Sequence, residues 1–176
     1  MPWTAAKLFL SVTALFLVWP ASAQSPASYR TTPALRHLVR QAGYIFAGRV
    51  QAIEPLAARS PTQVPTVRIT FRVEQGIRGT QTGRTLTIRE WAGLWNNGER
   101  YRVGESVVLF LHAPSRLGLT SPLGGVQGRY NIDAHGNVLL GTEIFPDFKD
   151  PERPRGRRVS VPLGAFSRAI RRAAEE

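Results

Sequence analysis

A chain that carries an export signal and no cysteine must hold its fold together by burial alone. Cysteine is absent from all 176 residues, which removes disulfides, the usual staple of small exported domains. The export signal is read from the first 23 positions. Lys7 forms a positive n-region, Leu8 to Trp19 an apolar stretch closed by Pro20, and Ala21-Ser22-Ala23 a small-residue cleavage site. The apolar stretch falls short of the ~20 residues that a membrane-spanning helix needs. The expectation is a periplasmic or secreted protein that starts at Gln24, with no transmembrane segment after cleavage and no N-terminal cysteine for a lipid anchor. Residues 24–32 read as a loose arm, and 33–176 as a single domain. A domain of that size buries roughly 70% of its unfolded surface, enough for a core without cross-links.

Export also narrows the partners. Lysine and arginine number 23 against 12 acidic residues, and apart from Lys7 and Lys149 the cations are all arginine. Such a surplus favours anionic partners, acidic polysaccharide or lipid head groups among them. Nucleic acid is the weaker candidate, since export removes the chain from most of it. A genome that encodes arginine wherever a cation suffices accounts for the same composition without a partner.

The pattern along the chain is that of short strands between two helices. Thr32, Pro33 and Gly43 punctuate a helix whose Leu35, Leu38 and Val39 share one face. Residues 44–53 read as a strand with Gly48 marking a bulge. From Thr66 to Gln75 the alternation is strict: Val67, Ile69, Phe71 and Val73 inward, Arg68, Thr70, Arg72 and Glu74 outward. A glycine-punctuated turn leads to a strand over 84–90, and Val107 to Leu111 is apolar throughout, as a strand covered on both faces must be. Residues 126–132 and 138–140 predict a hairpin around Asp133-Ala134-His135-Gly136. The charged, proline-bearing stretch 145–158 reads as a crossing. Pro162 opens a last helix with Leu163, Phe166 and Ile170 on one face. The fold class expected is mainly β: a small OB-like barrel of five or six strands, closed or nearly so, with a short N-terminal and a C-terminal helix packed on it.

The blocks AGYIFAGRVQAI at 42–53, VRITFRVEQGIRGTQTG at 67–83 and GERYRVGESVVLFL at 98–111 resemble the netrin-like (NTR) family, which includes the tissue inhibitors of metalloproteinases (TIMP-like). The family pattern is a helix before an IFxGxV strand, then an FxVxxxxkG strand and turn, then GExYxVGxxxLxFL. The resemblance spans roughly 33–142 and implies an OB-type barrel that binds other macromolecules. The IREWAGLW and RLGLTSPLGG blocks resemble a group of exported bacterial proteins. The family's inhibitors use a disulfide-held N-terminal cysteine against the protease zinc. This chain has no cysteine, so that mechanism does not transfer, and fold by itself is a weak warrant for function.

Motifs for chemistry are sparse. There is no Gly-x-Ser-x-Gly elbow, no His-Glu-x-x-His and no phosphate-binding Gly-x-x-x-x-Gly-Lys loop. Asp133 and His135 offer two metal ligands where a catalytic zinc site takes three, and both are ordinary turn residues; no metal or cofactor is expected. Glu90, beside Trp91, is a candidate desolvated acid, with Glu99 or Glu105 as the second carboxylate of an envelope-glycan hydrolase. The most distinctive segment runs from Arg89 to Arg102. Trp91, Leu94 and Trp95 would share one face of a helical turn, and Arg89, Arg100, Tyr101 and Arg102 surround them. Two readings stay open: an aromatic plug for the barrel, or a stacking platform with cationic flanks for a protein or an envelope component, anionic polysaccharide included. The leading expectation is a non-enzymatic binding or interaction module using Trp91, Trp95, Arg89, Arg100, Tyr101 and Arg102. An electrostatic polyanion binder without a defined pocket is the third possibility.

Overall fold

The computed structural model describes residues 32–58, 60, 63–96, 100–141 and 159–176. The predicted signal, all but the last residue of the arm, Glu99 and the 145–158 crossing lie outside the described residues.

The first helix, α1 (Pro33–Gln41), starts as the sequence dictates: Thr32 Oγ1 accepts the Leu35 N–H at 3.0 Å, and Pro33 occupies the first turn. Leu35, Leu38 and Val39 are buried. Gly43 does not take the left-handed capping conformation expected of it. Its role is close approach, because a Cβ there would lie 2.5 Å from Ala113 Cα.

Five strands form one antiparallel sheet: β1 (Tyr44–Leu56), β2 (Thr66–Arg78), β3 (Thr85–Trp91), β4 (Ser106–Leu111) and β5 (Arg129–Asn131). Their spatial order is β3-β2-β1-β4-β5. The β1/β2 register shifts at Ala47/Gly48, where the sequence places a bulge. Two further strands, β6 (Asn137–Leu140) and β7 (Val159–Pro162), pair separately, and α2 (Leu163–Glu175) follows.

β4 organises the interior. Val107, Leu109 and Leu111 join Phe46, Val50, Val67, Ile69, Phe71, Val73 and Ile88 in one core on the inner face of the curved sheet. Val108 and Phe110 point the other way, into a second core shared with α1, α2 and the β6/β7 pair. A strand sandwiched between two cores needs an unbroken apolar run, and 107–111 supplies it. Phe110 meets Tyr130 and Phe166 edge-on, at centroid separations of 5.9 and 6.4 Å.

Two expectations need correction. The 126–140 hairpin is reduced to its turn and one bridge: Gly136 has φ +77°, Asp133 Oδ1 accepts the N–H groups of His135 and Asn137, and Ile132 bridges antiparallel to Val138. Its flanks then part, β5 pairing with β4 and β6 with β7. The turn sends β6 off the sheet, because Val138 and Leu140 are needed in the second core. The sheet also does not close into a barrel. Among the described residues, β3 and β5 remain edges, and only the 112–122 loop reaches across, with the Thr120 N–H donating to the Arg89 carbonyl at 2.9 Å. β5 is three residues long, too short to run the length of β3.

Because Phe110 ties the sheet to both terminal helices, Phe110→Ala should cost about 3–5 kcal/mol. Urea unfolding followed by far-UV circular dichroism measures this; a loss under 1 kcal/mol or so would contradict the two-core arrangement.

Candidate functional site

Backbone alternation in β3 divides the Arg89–Arg102 segment into two sets of side chains on opposite faces. Ile69 pairs with Ile88, Arg68 with Arg89, Val67 with Glu90 and Thr66 with Trp91. Since Val67 and Ile69 face the inner core, Glu90 faces inward with Ile88, while Arg89 and Trp91 face outward.

The inner set is built around a carboxylate with no solvent exposure, Glu90 at 0%. Its Oε1 accepts the Tyr101 hydroxyl at 3.1 Å; its Oε2 accepts Trp95 Nε1–H at 3.2 Å and lies 3.3 Å from Arg100 Nε. Desolvation is the largest influence and raises the Glu90 pKa, against the opposing pull of Arg100 and the two hydrogen bonds. Burial, then the Glu90 charge, pushes the Tyr101 phenol well above its usual range, so it remains a donor. Tyr101 also packs edge-on against Phe71 at 5.6 Å, and the Arg129 guanidinium lies 4.9 Å from its ring centroid. Arg129 continues to Glu105 at 2.6 Å, and Glu105 accepts the Arg102 N–H at 3.0 Å. A small polar recess of about 240 Å³ opens beside Arg100, Arg102, Glu105, Arg129 and Asn131.

Trp95 and Tyr101 thus pack against the inner core, and Glu90 is the acceptor that fixes them. Both Glu90 oxygens are engaged, so the carboxylate holds these side chains in place. The single helical face expected for Trp91, Leu94 and Trp95 does not form. Trp91 ends β3, and only Ala92–Trp95 makes a 3₁₀ turn.

The outer set is different in kind. Trp91 is 47% exposed. Its indole lies on Gly93, where an added Cβ would come within 2.3 Å of the ring, so a glycine two residues on seats the tryptophan. Arg68 and Arg89 face each other across β2 and β3, a like-charge pair that costs stability unless its charge is met. Arg68 reaches Glu54 at 3.1 Å, whereas Arg89 Nη2 donates to the Leu117 carbonyl at 2.8 Å and has no acidic partner among the described residues. Between them runs a groove of about 730 Å³, walled by Leu56, Val64, Leu117 and Leu119 with Arg68 and Arg89 in its floor. Leu117 (67%) and Val64 (46%) are themselves exposed.

Of the six residues singled out by sequence, Arg89 and Trp91 belong to the outer face. Trp95, Arg100 and Tyr101 belong to the inner cluster, Tyr101 being 1% exposed. Arg102 is exposed beside the recess. Sequence reasoning missed Arg68, Val64 and Leu117 as partners of Arg89, because strand register and a loop bring them there. It also missed Arg129, which comes from β5. Asp133 is engaged within its own turn, and the Asn137 N–H is the main cause of its lowered pKa. No protein-family model matches the chain, and neither a curated protein nor a solved structure does.

Folding raises the Glu90 pKa above its ordinary 4.5, so the folded state binds that proton more tightly than the unfolded chain. The stabilising contribution is therefore full below that ordinary value and is lost as pH rises through the raised one. Relative to Glu90→Gln, the parent protein should lose unfolding free energy as pH rises from below 4.5 through the raised value. Denaturant titrations of both proteins across that range check it, and a difference that stays constant with pH would contradict the assignment.

Proposed function

We propose that this chain is an exported, non-enzymatic binding module of netrin-like type, which recognises a protein or cell-envelope component through the outer face of β2 and β3. The observation that carries this reading is the exposed Trp91 seated beside the Arg68/Arg89 pair and its apolar-walled groove. Binding surfaces concentrate energy in aromatic and arginine anchors, and this face supplies both on rigid strands. An exposed aromatic with apolar walls costs stability when bare, and a partner that covers it recovers that cost.

The netrin-like part rests on the quoted blocks and on a strand order that would be a five-stranded barrel if β3 met β5. A helix before the first strand and a 3₁₀ turn between the third and fourth agree with it. Export rests on the pattern of residues 1–23.

The test uses poly-L-glutamate as an anionic probe. The parent should bind it at physiological salt and retain binding at about 0.5 M salt, where exposed charges are screened within a few ångströms. Trp91→Ala and Arg89→Ala should each weaken binding about tenfold or more, equivalent to ~1.4 kcal/mol. Binding that disappears at high salt and ignores Trp91→Ala would replace this reading with diffuse electrostatic attraction.

A further inference from the structure

The hydrogen-bonding direction of β3 leads further. In β2, Val73 accepts the Gly83 N–H at 2.8 Å and donates to the Arg84 carbonyl at 2.9 Å, and Pro65 accepts the Ala92 N–H at 2.9 Å. The odd-numbered residues of β2 therefore direct their backbone groups at β3. Their register partners Leu86, Ile88 and Glu90 must direct theirs back. It follows that Thr85, Thr87, Arg89 and Trp91 turn their N–H and C=O groups to the open edge. The Thr120 N–H on the Arg89 carbonyl agrees with this, and among the described residues it is the one backbone bond made there. Pairing along that edge stops at Arg89. Among the described residues no backbone group pairs with the edge from Thr85 to Thr87, and both threonines are exposed.

An unprotected edge is a template for another strand. Its surroundings select the kind. Arg72 stands opposite Thr85, Arg84 precedes it, and Arg89 lies two residues beyond Thr87. All three are exposed, and none has an acidic partner among the described residues. A second copy of this chain would bring the same arginines against them, so self-pairing is disfavoured. An acidic strand meets the charge.

We infer that the partner is a protein that presents an extended acidic segment, which adds to the free edge of β3 at Thr85–Arg89 as a sixth strand. This rests on the binding-module reading and names the chemistry of its partner. Main-chain hydrogen bonds to Thr85, Thr87 and the Arg89 N–H supply the pairing. Alternate side chains fall on the outer face, where carboxylates meet Arg72 and Arg89.

Thr87 makes the edge testable without breaking the sheet. Its N–H faces away from β2, so proline there removes the edge donor and no ladder bond. The probe is an end-blocked eight-residue peptide of alternating glutamate and valine, titrated calorimetrically into the full chain. The parent and Thr87→Val should bind it alike, and Thr87→Pro at least about tenfold more weakly. The peptide should slow amide exchange at Thr87 and Arg89. A lysine–valine peptide should not bind, and a glutamate–valine peptide N-methylated at alternate residues should bind weakly even to the parent. That last arm tests the edge from the ligand side if Thr87→Pro does not fold.

Equal binding by a folded Thr87→Pro, unchanged exchange at Thr87, or full binding of the N-methylated peptide would each overturn strand addition. Loss in Trp91→Ala and Arg89→Ala but not in Thr87→Pro leaves the groove reading standing without the strand. No peptide binding by the parent, with poly-L-glutamate still retained, has the same meaning. No binding of either probe removes both. A parent dimer abolished by Thr87→Pro, seen by sedimentation, would give the edge to a second copy and overturn the acidic partner.

Discussion

Burying a carboxylate completely is costly unless donors surround it, and Glu90 is placed inside by the register of β3 on β2. Val67 and Ile69 must face the inner core; their partners must then do the same, and Glu90 is one of them. The chain after β3 is shaped by that demand. It makes one 3₁₀ turn to deliver Trp95 Nε1–H and returns to deliver Arg100 and the Tyr101 hydroxyl. Two hydrogen-bond donors and one arginine on two oxygens hold an ionisable group in the interior and fix the aromatic lid over Phe71.

The same cluster takes over part of the work of a missing strand pair. The sheet is open between β3 and β5, yet Glu90 of β3 holds Tyr101, Tyr101 lies under Arg129 of β5, and Arg129 reaches Glu105 just before β4. Side chains thus bridge a seam that backbone hydrogen bonds leave open, with the Thr120–Arg89 bond as the main-chain stitch at one point. Arginine suits this place better than lysine, because a planar guanidinium can stack on the Tyr101 ring while it bonds to a carboxylate. What remains outside is what the seam does not use: Trp91 and the edge of β3 at Thr85–Thr87.

Much of this was legible in the sequence, for reasons that can be named. The alternation of Val67, Ile69, Phe71 and Val73 and the unbroken run at 107–111 are direct consequences of which faces are buried, so local pattern carried them. The Thr32–Pro33 helix start is likewise a local matter of unpaired N–H groups. The 3₁₀ turn was harder. Trp91, Leu94 and Trp95 have helical spacing, but Trp91 belongs to the ladder with Thr66, and that pairing overrides the spacing. The four residues of β7 were hidden because Pro162 reads as a helix start, and their partner, β6, lies nearly twenty positions earlier. The Arg68–Arg89 pair and the Arg129–Tyr101 contact depend on register and on a return of the chain, which no local pattern encodes.

The claim on which everything else rests is that the two tryptophans of one segment face opposite ways, Trp95 in and Trp91 out. Hydrogen exchange of the two indole N–H groups, assigned by NMR in the full chain, tests it most directly. The account predicts slow exchange for Trp95, accelerated by Glu90→Ala, and exchange at the solvent-limited rate for Trp91 in both proteins. Equal rates for the two indoles, or a Trp95 rate indifferent to the loss of the Glu90 carboxylate, would contradict it.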